Sequence, residues 1–210
     1  MLLISSTKLT IVKMAKLTNQ EKKSKLRREI LYKRNSLSKF QIYMKSKLIQ
    51  STLIRTTEFI KSRTVGAYIP IGSEVETWDI INYVLKSGRI LLLPRIVNND
   101  MRYYIVEQND FDTNLFDTNR FKIKEPKKTN GYVNYMDLLI IPGIAFDSYG
   151  YRIGYGHGYY DKFLTNAINS KCIGLAYDFQ LMKTRLPRLP HDKKIDMLVT
   201  EGGFHILNTF

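Results

Sequence analysis

The sequence predicts an α/β fold, a single domain with a mostly parallel β-sheet flanked by helices, and three observations carry that expectation. First, Thr64-Val65-Gly66-Ala67-Tyr68-Ile69, an apolar-periodic segment from Thr77 to Leu85 and Ile90-Leu91-Leu92-Leu93 follow one another as strand, helix and strand. Such a crossover joins parallel strands and lays its helix on the sheet. Second, Leu138-Leu139-Ile140-Ile141, stopped by Pro142, is the most apolar run in the chain, as a strand buried on both faces requires. Third, 210 residues with 44% hydrophobic and 25% charged side chains suit one sizeable core and exclude a disordered or collagen-like chain.

Taken in order, residues 1–17 are expected to be a flexible extension. Met1 to Ala15 mix apolar and basic side chains without acids, a faint likeness to a transit peptide, but Lys8 and Lys13 interrupt any signal-type apolar segment. Thr18 and Glu21 stand at capping-box spacing and open a helix over about 19–35, with Leu26, Ile30 and Leu31 as its apolar stripe. An N-terminal helical pair results, because Ser38 caps a second helix on which Ile42, Ile49, Leu53 and Ile60 recur. After the first strand, stopped by Pro70, Thr77 is expected to cap the crossover helix and Gly88 to end it; Pro94 then closes the second strand. Met101 to Val106 reads as a further strand, and the Asn- and Asp-rich stretch to about Gly131, with Lys124-Glu125-Pro126, as loop. Leu138–Ile141 is the expected central strand; Cys172 to Ala176 and Met197 to Thr200 complete the sheet, so that 18–210 forms the domain.

Charge is unevenly spread. Residues 1–64 carry 16 Lys and Arg against 3 acids, whereas residues 65–210 carry 17 against 16. A basic pair of helices suits nucleic-acid phosphates, an anionic small molecule, or a solvated helical face. The aromatic residues do not alternate with the basic ones as stacking platforms would, which argues against a nucleic-acid partner. Cys172 is the single cysteine, sits in an apolar run and fits a reducing compartment, so the expected location is cytoplasmic and the expected role core packing. No run approaches the ~18 apolar residues of a membrane span, so no membrane role is expected.

The most informative stretch runs from Pro142-Gly143 through Phe146-Asp147 and a turn to Gly150, then Arg152-Ile153-Gly154-Tyr155-Gly156-His157-Gly158-Tyr159-Tyr160-Asp161. Glycines at every second position let backbone N–H groups converge on an anion, and a helix opening near Tyr159 adds N–H donors and a partial positive charge. The same glycines also suit a tight turn without a ligand. Arg152 can clamp phosphate oxygens, and Asp161 beside a phosphate makes sense if Mg²⁺ intervenes, or it is simply a first-turn acid favoured by the helix dipole.

The stretch resembles the signature of the 5-formyltetrahydrofolate cyclo-ligase family. The resemblance extends through Lys23 and Arg27, Tyr68 to Glu76, Leu93-Pro94, Glu125-Pro126, Gln180, Leu189-Pro190-His191-Asp192 and Asp196. It implies ATP contacts from Lys23, Arg27, Arg152, Ile153, Gly154, Tyr155, Gly156, His157, Gly158, Tyr159 and Tyr160. It implies folate contacts from Ile69, Glu74, Phe121, Tyr155, Gly156, His157, Gly158 and Tyr159. Asp161 and Asp192 match Mg²⁺ ligands, and Arg152, His157 and Tyr160 are the implied catalytic residues. His157 departs from the family pattern, where many members carry glycine or lysine, which leaves its role open.

Bland readings stand beside these: surface charge for Lys23 and Arg27, an exposed loop acid for Glu74, a turn residue for Asp192, core for Phe121 and packing for Trp78. The resemblance implies an ATP- and Mg²⁺-dependent closure of 5-formyltetrahydrofolate to 5,10-methenyltetrahydrofolate through an N5-iminium phosphate; the expected substrate carries a polyglutamate tail or none, and the expected state is a monomer. A nucleic-acid module on the basic helices, or a sugar-phosphate isomerase or acyl-CoA transferase, are the rival readings. Asp161 and Asp192 are expected to form a like-charged pair whose disruption leaves stability little changed.

Overall fold

The computed structural model of the chain describes residues 17–112, 116–119, 124–126, 132–167 and 169–207. Apart from Leu17, the expected extension over 1–17 lies outside these residues, as does Phe121.

α1 spans Asn19–Asn35 and opens with the expected capping box: Glu21 N–H donates to Thr18 Oγ1 (3.2 Å) while Thr18 N–H donates to Glu21 Oε2 (2.8 Å). α2, Lys39–Ile54, opens in the same way on Ser38 and Gln41, and buries Ser46, Ile49, Gln50 and Leu53. Its apolar stripe does not continue to Ile60. The helix ends at Arg55, and Thr56 caps a separate short helix, α3 (Thr57–Lys61), which buries Phe59 and leaves Ile60 59% exposed. β1 is Thr64–Gly66, and α4, Trp78–Lys86, carries the chain across to β2, Ile90–Val97.

Thr77 precedes α4 without capping it. Its hydroxyl donates to Tyr68 O (2.6 Å), and Gln50 Oε1 of α2 takes the first-turn N–H groups of Asp79 (2.9 Å) and Ile80 (3.3 Å) instead. Trp78 is not a packing residue, being 40% exposed. β2 also runs through Pro94, because β1 has already ended opposite Leu92, so the missing proline N–H costs no ladder bond on that side.

β3 (Asp100–Val106) turns back antiparallel on β2 and leads to a short helix α5 (Gln108–Asp112). The stretch expected as loop contains a small antiparallel pair, β4 (Phe116–Thr118) with β5 (Lys124–Pro126), followed by β6 (Tyr132–Val133) on the edge of the main sheet. β7 (Leu138–Ile141) leads to a hairpin of β8 (Ala145–Asp147) and β9 (Arg152–Ile153), and then to α6 (Tyr159–Asn166). β10 (Lys171–Leu175), a 3₁₀ turn at Asp178–Gln180, β11 (Leu181–Met182), β12 (Met197–Thr200) and β13 (Gly203–Ile206) complete the described chain.

Among the described residues the main sheet has the order β13-β12-β10-β7-β1-β2-β3-β6. The five inner strands from β12 to β2 are parallel, and the edges are antiparallel. The fold is mixed α/β. β7 is central, and its four residues are 0% exposed. Leu138 and Ile140 pack on the face covered by α2, α3 and α4, whereas Leu139 and Ile141 pack on the other face with Phe163 and Leu164 of α6. That two-sided burial is why the run reads as continuously apolar. Cys172 is buried, and desolvation pushes its thiol up to about 12, in keeping with a packing role. No helix among the described residues is long and apolar enough to cross a membrane.

Candidate active site

From β1 the chain moves to β2 on one side, and from β7 it moves through β10 to β12 on the other, so the winding reverses between β1 and β7. Ligand sites in open α/β sheets form outside the carboxyl ends of the strands at such a reversal. The segments leaving β1 and β7 diverge there, and α1, β2, the glycine loop and the 189–193 loop close a cleft of about 1010 Å³ around the gap.

The glycine loop is bent for this position. Gly156 has φ 111° and Gly158 φ 71°, conformations that a side chain strains, and Gly158 precedes α6 with no side chain capping the helix. Arg27 Nε donates to Gly154 O (2.8 Å), and a Cβ on Gly156 would stand 3.6 Å from the Arg27 guanidinium. Arg27, expected as an ATP contact or a surface charge, thus braces the loop. Ile153 borders the cleft while its side chain, 1% exposed, packs with Ile30, Ile144 and Leu186. His157 and Tyr159 stack with ring centroids 5.7 Å apart, and Tyr159 OH donates to Asn99 Oδ1 (3.2 Å).

The two aspartates do not face each other as bare like charges. Lys23 Nζ pairs with Asp192 at 2.5 Å, both side chains nearly buried, and Leu189 N–H donates to Asp192 Oδ2 (2.7 Å). Arg152 Nη1 pairs with Asp161 Oδ1 at 2.9 Å, and that oxygen also accepts from Lys193 N–H (3.1 Å), the residue next to Asp192. The expectation of relieved repulsion is therefore wrong, since each carboxylate is held by a cation. No group of three or more His, Cys, Asp and Glu able to hold a metal occurs among the described residues. The pair nevertheless suits Mg²⁺, which takes one or two carboxylates and fills its other positions with water and substrate phosphate. Asp161 meets Arg152 and Lys193 through Oδ1 alone, which leaves Oδ2 for a metal, whereas Asp192 has to release Lys23.

Across the cleft, Glu74 is no exposed loop acid. It is 3% exposed; Oε2 accepts from Ile71 N–H (2.9 Å), and Oε1 has no hydrogen-bond partner although its residue lines the cleft. Burial pushes its carboxyl up, with Arg34 and the Ile71 N–H pulling it back. Ile69, 9% exposed, supplies an apolar wall beside it. Burial also raises the Tyr155 hydroxyl to about 12 and the Tyr160 hydroxyl further, so both stay protonated donors. Arg152 lies over the Tyr160 ring at 5.6 Å, its Nε buried and unpaired.

A family model described as the 5-formyltetrahydrofolate cyclo-ligase family matches residues 19–201. The chain belongs to this family. The NMR structure of Aquifex aeolicus 5,10-methenyltetrahydrofolate synthetase superposes with a TM-score of 0.79 at 36% identity, over 90% of this chain and 94% of that one. A probable 5-formyltetrahydrofolate cyclo-ligase of Caenorhabditis elegans is 28% identical over 90% of this chain and 98% of its own length. A 5,10-methenyltetrahydrofolate synthetase of Mycoplasma pneumoniae shares the fold with a TM-score of 0.64 at 23% identity, over 85% and 98% of the two chains.

The cyclo-ligase resemblance did not draw attention to Arg34, which is 2% exposed and lies behind the cleft lining, bonded to Tyr155 OH. Its spacing was a usable signal: 23, 27 and 34 fall on one helical face. Gln180 is a bracket of the cyclo-ligase cleft, donating through Nε2 to Gly143 O (3.0 Å) and Ile144 O (2.9 Å). Asp147 fixes the hairpin turn, its carboxylate accepting from the N–H groups of Tyr149, Tyr151 and Leu186.

Proposed function

We propose that this chain is an ATP- and Mg²⁺-dependent 5-formyltetrahydrofolate cyclo-ligase, converting 5-formyltetrahydrofolate to 5,10-methenyltetrahydrofolate with release of ADP and phosphate. The observation that carries the reading is the convergence, in one cleft, of a braced glycine loop with basic side chains at one end and a buried carboxylate oxygen without a partner at the other.

Lys23, Arg27, Arg152 and the backbone from Ile153 to Tyr160 hold the nucleotide phosphates, and Asp161 and Asp192 hold the metal. When bound, Mg²⁺ neutralises charge that develops on the transferring phosphoryl group. Glu74 accepts from the N–H-rich pterin edge; Ile69, Tyr155, His157 and Tyr159, with Gly156 and Gly158, border the rest of the folate. Phe121, proposed to stack on the substrate, lies outside the described residues. A formyl amide is a poor electrophile and its oxygen a poor leaving group. Transfer of the γ-phosphoryl to that oxygen gives the N5-iminium phosphate, N10 attacks, and phosphate departs. Arg152 stabilises the phosphoryl oxygens, the Tyr160 hydroxyl stays protonated as a donor, and His157 lies on the cleft rim. Such chemistry works through positioning and charge, which is why no nucleophilic triad is needed.

The reading extends to a cytoplasmic monomer whose residues 18–210 form one domain, acting on folate with or without a polyglutamate tail and on no nucleic acid. The decisive experiment mixes purified protein with 5-formyltetrahydrofolate and MgATP and follows the near-ultraviolet absorbance of methenyltetrahydrofolate. The expected rise requires all three components and stops on adding EDTA; a flat trace with folded protein refutes the reading.

A further inference from the structure

We infer that Arg34 is a positioning residue for the folate end of the cleft: buried at the end of α1, it holds Tyr155 of the glycine loop and the Ser73 turn that carries Glu74, whose unpartnered Oε1 meets the substrate. This rests on the function proposed above.

Arg34 ties together four segments that meet at the reversal of the sheet. From the last turn of α1 its Nε donates to Ser73 Oγ (3.1 Å), which in turn donates to Asn35 Oδ1 (2.6 Å). Its Nη1 reaches Gly143 O (3.4 Å) at the exit of β7, and its Nη2 donates to Tyr155 OH (2.5 Å) in the glycine loop. The guanidinium also lies 5.7 Å from the Tyr155 ring centroid. All these partners are neutral, and a guanidinium desolvated without a carboxylate in direct contact is costly unless a nearby charge compensates it. Glu74, next in the chain to the Ser73 that Arg34 holds, is the nearby acid, and Arg34 opposes the upward push that burial gives its carboxyl.

The groups facing Glu74 are Arg34 from α1, Tyr68 from the exit of β1, Tyr155 from the glycine loop and Tyr160 from α6. The three tyrosines are raised by burial and stay neutral, so Arg34 is the cation that opposes the desolvation of Glu74 among the described residues. An ionised Glu74 offers two acceptor oxygens, one already taken by Ile71 N–H. A protonated Glu74 would turn an O–H donor toward the substrate's own N–H donors, a mismatch. Binding through Oε1 is therefore present above the carboxyl's midpoint and lost as pH falls through it. Removing Arg34 raises the midpoint, so the loss sets in at higher pH.

The test uses the full chain and its Arg34→Met, Arg34→Lys, Glu74→Gln and doubly substituted Arg34→Met, Glu74→Gln forms. The Glu74 carboxyl is followed by ¹³C NMR, its resonance assigned by its loss in Glu74→Gln, and 5-formyltetrahydrofolate binding is measured by calorimetry across pH. For Arg34→Met the expected result is a higher Glu74 midpoint and about a tenfold loss of folate affinity at a pH between the parent's midpoint and the variant's, narrowing as the pH rises above the higher of the two. ATP affinity should change less than about twofold, and in the Glu74→Gln background the pH-dependent part should vanish. Arg34→Lys keeps the charge but not the fork of bonds, so it should weaken folate binding with the midpoint unmoved. It also serves as the test if Arg34→Met fails to fold, and full folate affinity in Arg34→Lys then overturns the inference. An unmoved Glu74 midpoint in Arg34→Met, or equal losses of folate and ATP affinity at every pH, likewise overturns it. A parent protein that binds no 5-formyltetrahydrofolate at any pH overturns the proposed function instead, while the shift in the Glu74 midpoint remains measurable.

Discussion

Glu74 shows how little of a residue's situation is written in its own neighbourhood. Its flanks, Gly72-Ser73 and Val75-Glu76, read as a polar loop, and only the fold reveals that the carboxyl is buried with one oxygen unclaimed. Glu74→Gln should raise KM for the folate roughly 13- to 160-fold and leave KM for ATP nearly unchanged, from ~1.5 to 3 kcal/mol for losing a charged hydrogen-bond partner. Steady-state kinetics with each substrate varied separately checks this; equal rises in both constants would show that Glu74 does not serve the folate. For Asp161 and Asp192 the structure reverses half of the expectation drawn from sequence. Replacing either by Ala should still cut turnover at least ~100-fold, taking ~2.7 kcal/mol as the smallest loss for one preorganised interaction. It should also lower stability by about 1.5 to 3 kcal/mol, because Lys23 or Arg152 is left buried and unpaired. Chemical denaturation of the two variants decides between this and the neutral outcome that mutual repulsion would give.

At the scale of elements, local signals were legible wherever the cap lies within a few residues of its helix. Thr18 with Glu21 and Ser38 with Gln41 show this at α1 and α2. Thr77 failed as a cap because the group that satisfies the start of α4, Gln50, comes from another helix 29 residues earlier, and no local pattern reports such a contact. Gln50→Ala should accordingly cost about 1 to 3 kcal/mol, the penalty for stranding a buried N–H, with kcat unaffected since α4 lies on the sheet face away from α6. Thermal melts and initial rates on the same sample test both halves. On α1, Lys23, Arg27 and Arg34 have partners inside the molecule. Lys23→Ala and Arg27→Ala should depress ATP use while circular dichroism stays that of a folded protein, Arg27→Ala chiefly through a loosened glycine loop. Tight RNA or DNA binding with a steep salt slope, together with unaltered ligase rates in both variants, would favour the nucleic-acid reading instead.

At the scale of the molecule, the parallel centre of the sheet was readable because βαβ crossovers and two-sided burial leave local marks, as at β1, β2 and β7. The antiparallel edges and the reversal between β1 and β7 were not, since strand order is set by which distant faces pack together. The same is true of the cleft: its glycine loop announced itself, while the pairing of Lys23 with Asp192, 169 positions apart, did not. That pairing, with Arg152 on Asp161, sets a carboxylate against two of the cations lining the cleft, while Arg27, which donates to the Gly154 carbonyl, has no carboxylate partner among the described residues and keeps its charge unopposed. Under the proposed function, occupation would be a trade of counter-ions, in which Asp192 loosens its hold on Lys23 to serve a metal and Lys23 then has phosphate to turn to. Thermodynamic linkage makes such a trade mutual: whatever factor the metal adds to nucleotide affinity, the nucleotide adds to metal affinity. Calorimetry of ATP with and without Mg²⁺, and of Mg²⁺ with and without ATP, should return two matching factors well above one, and both should shrink in Lys23→Ala, where Asp192 has no partner to give up.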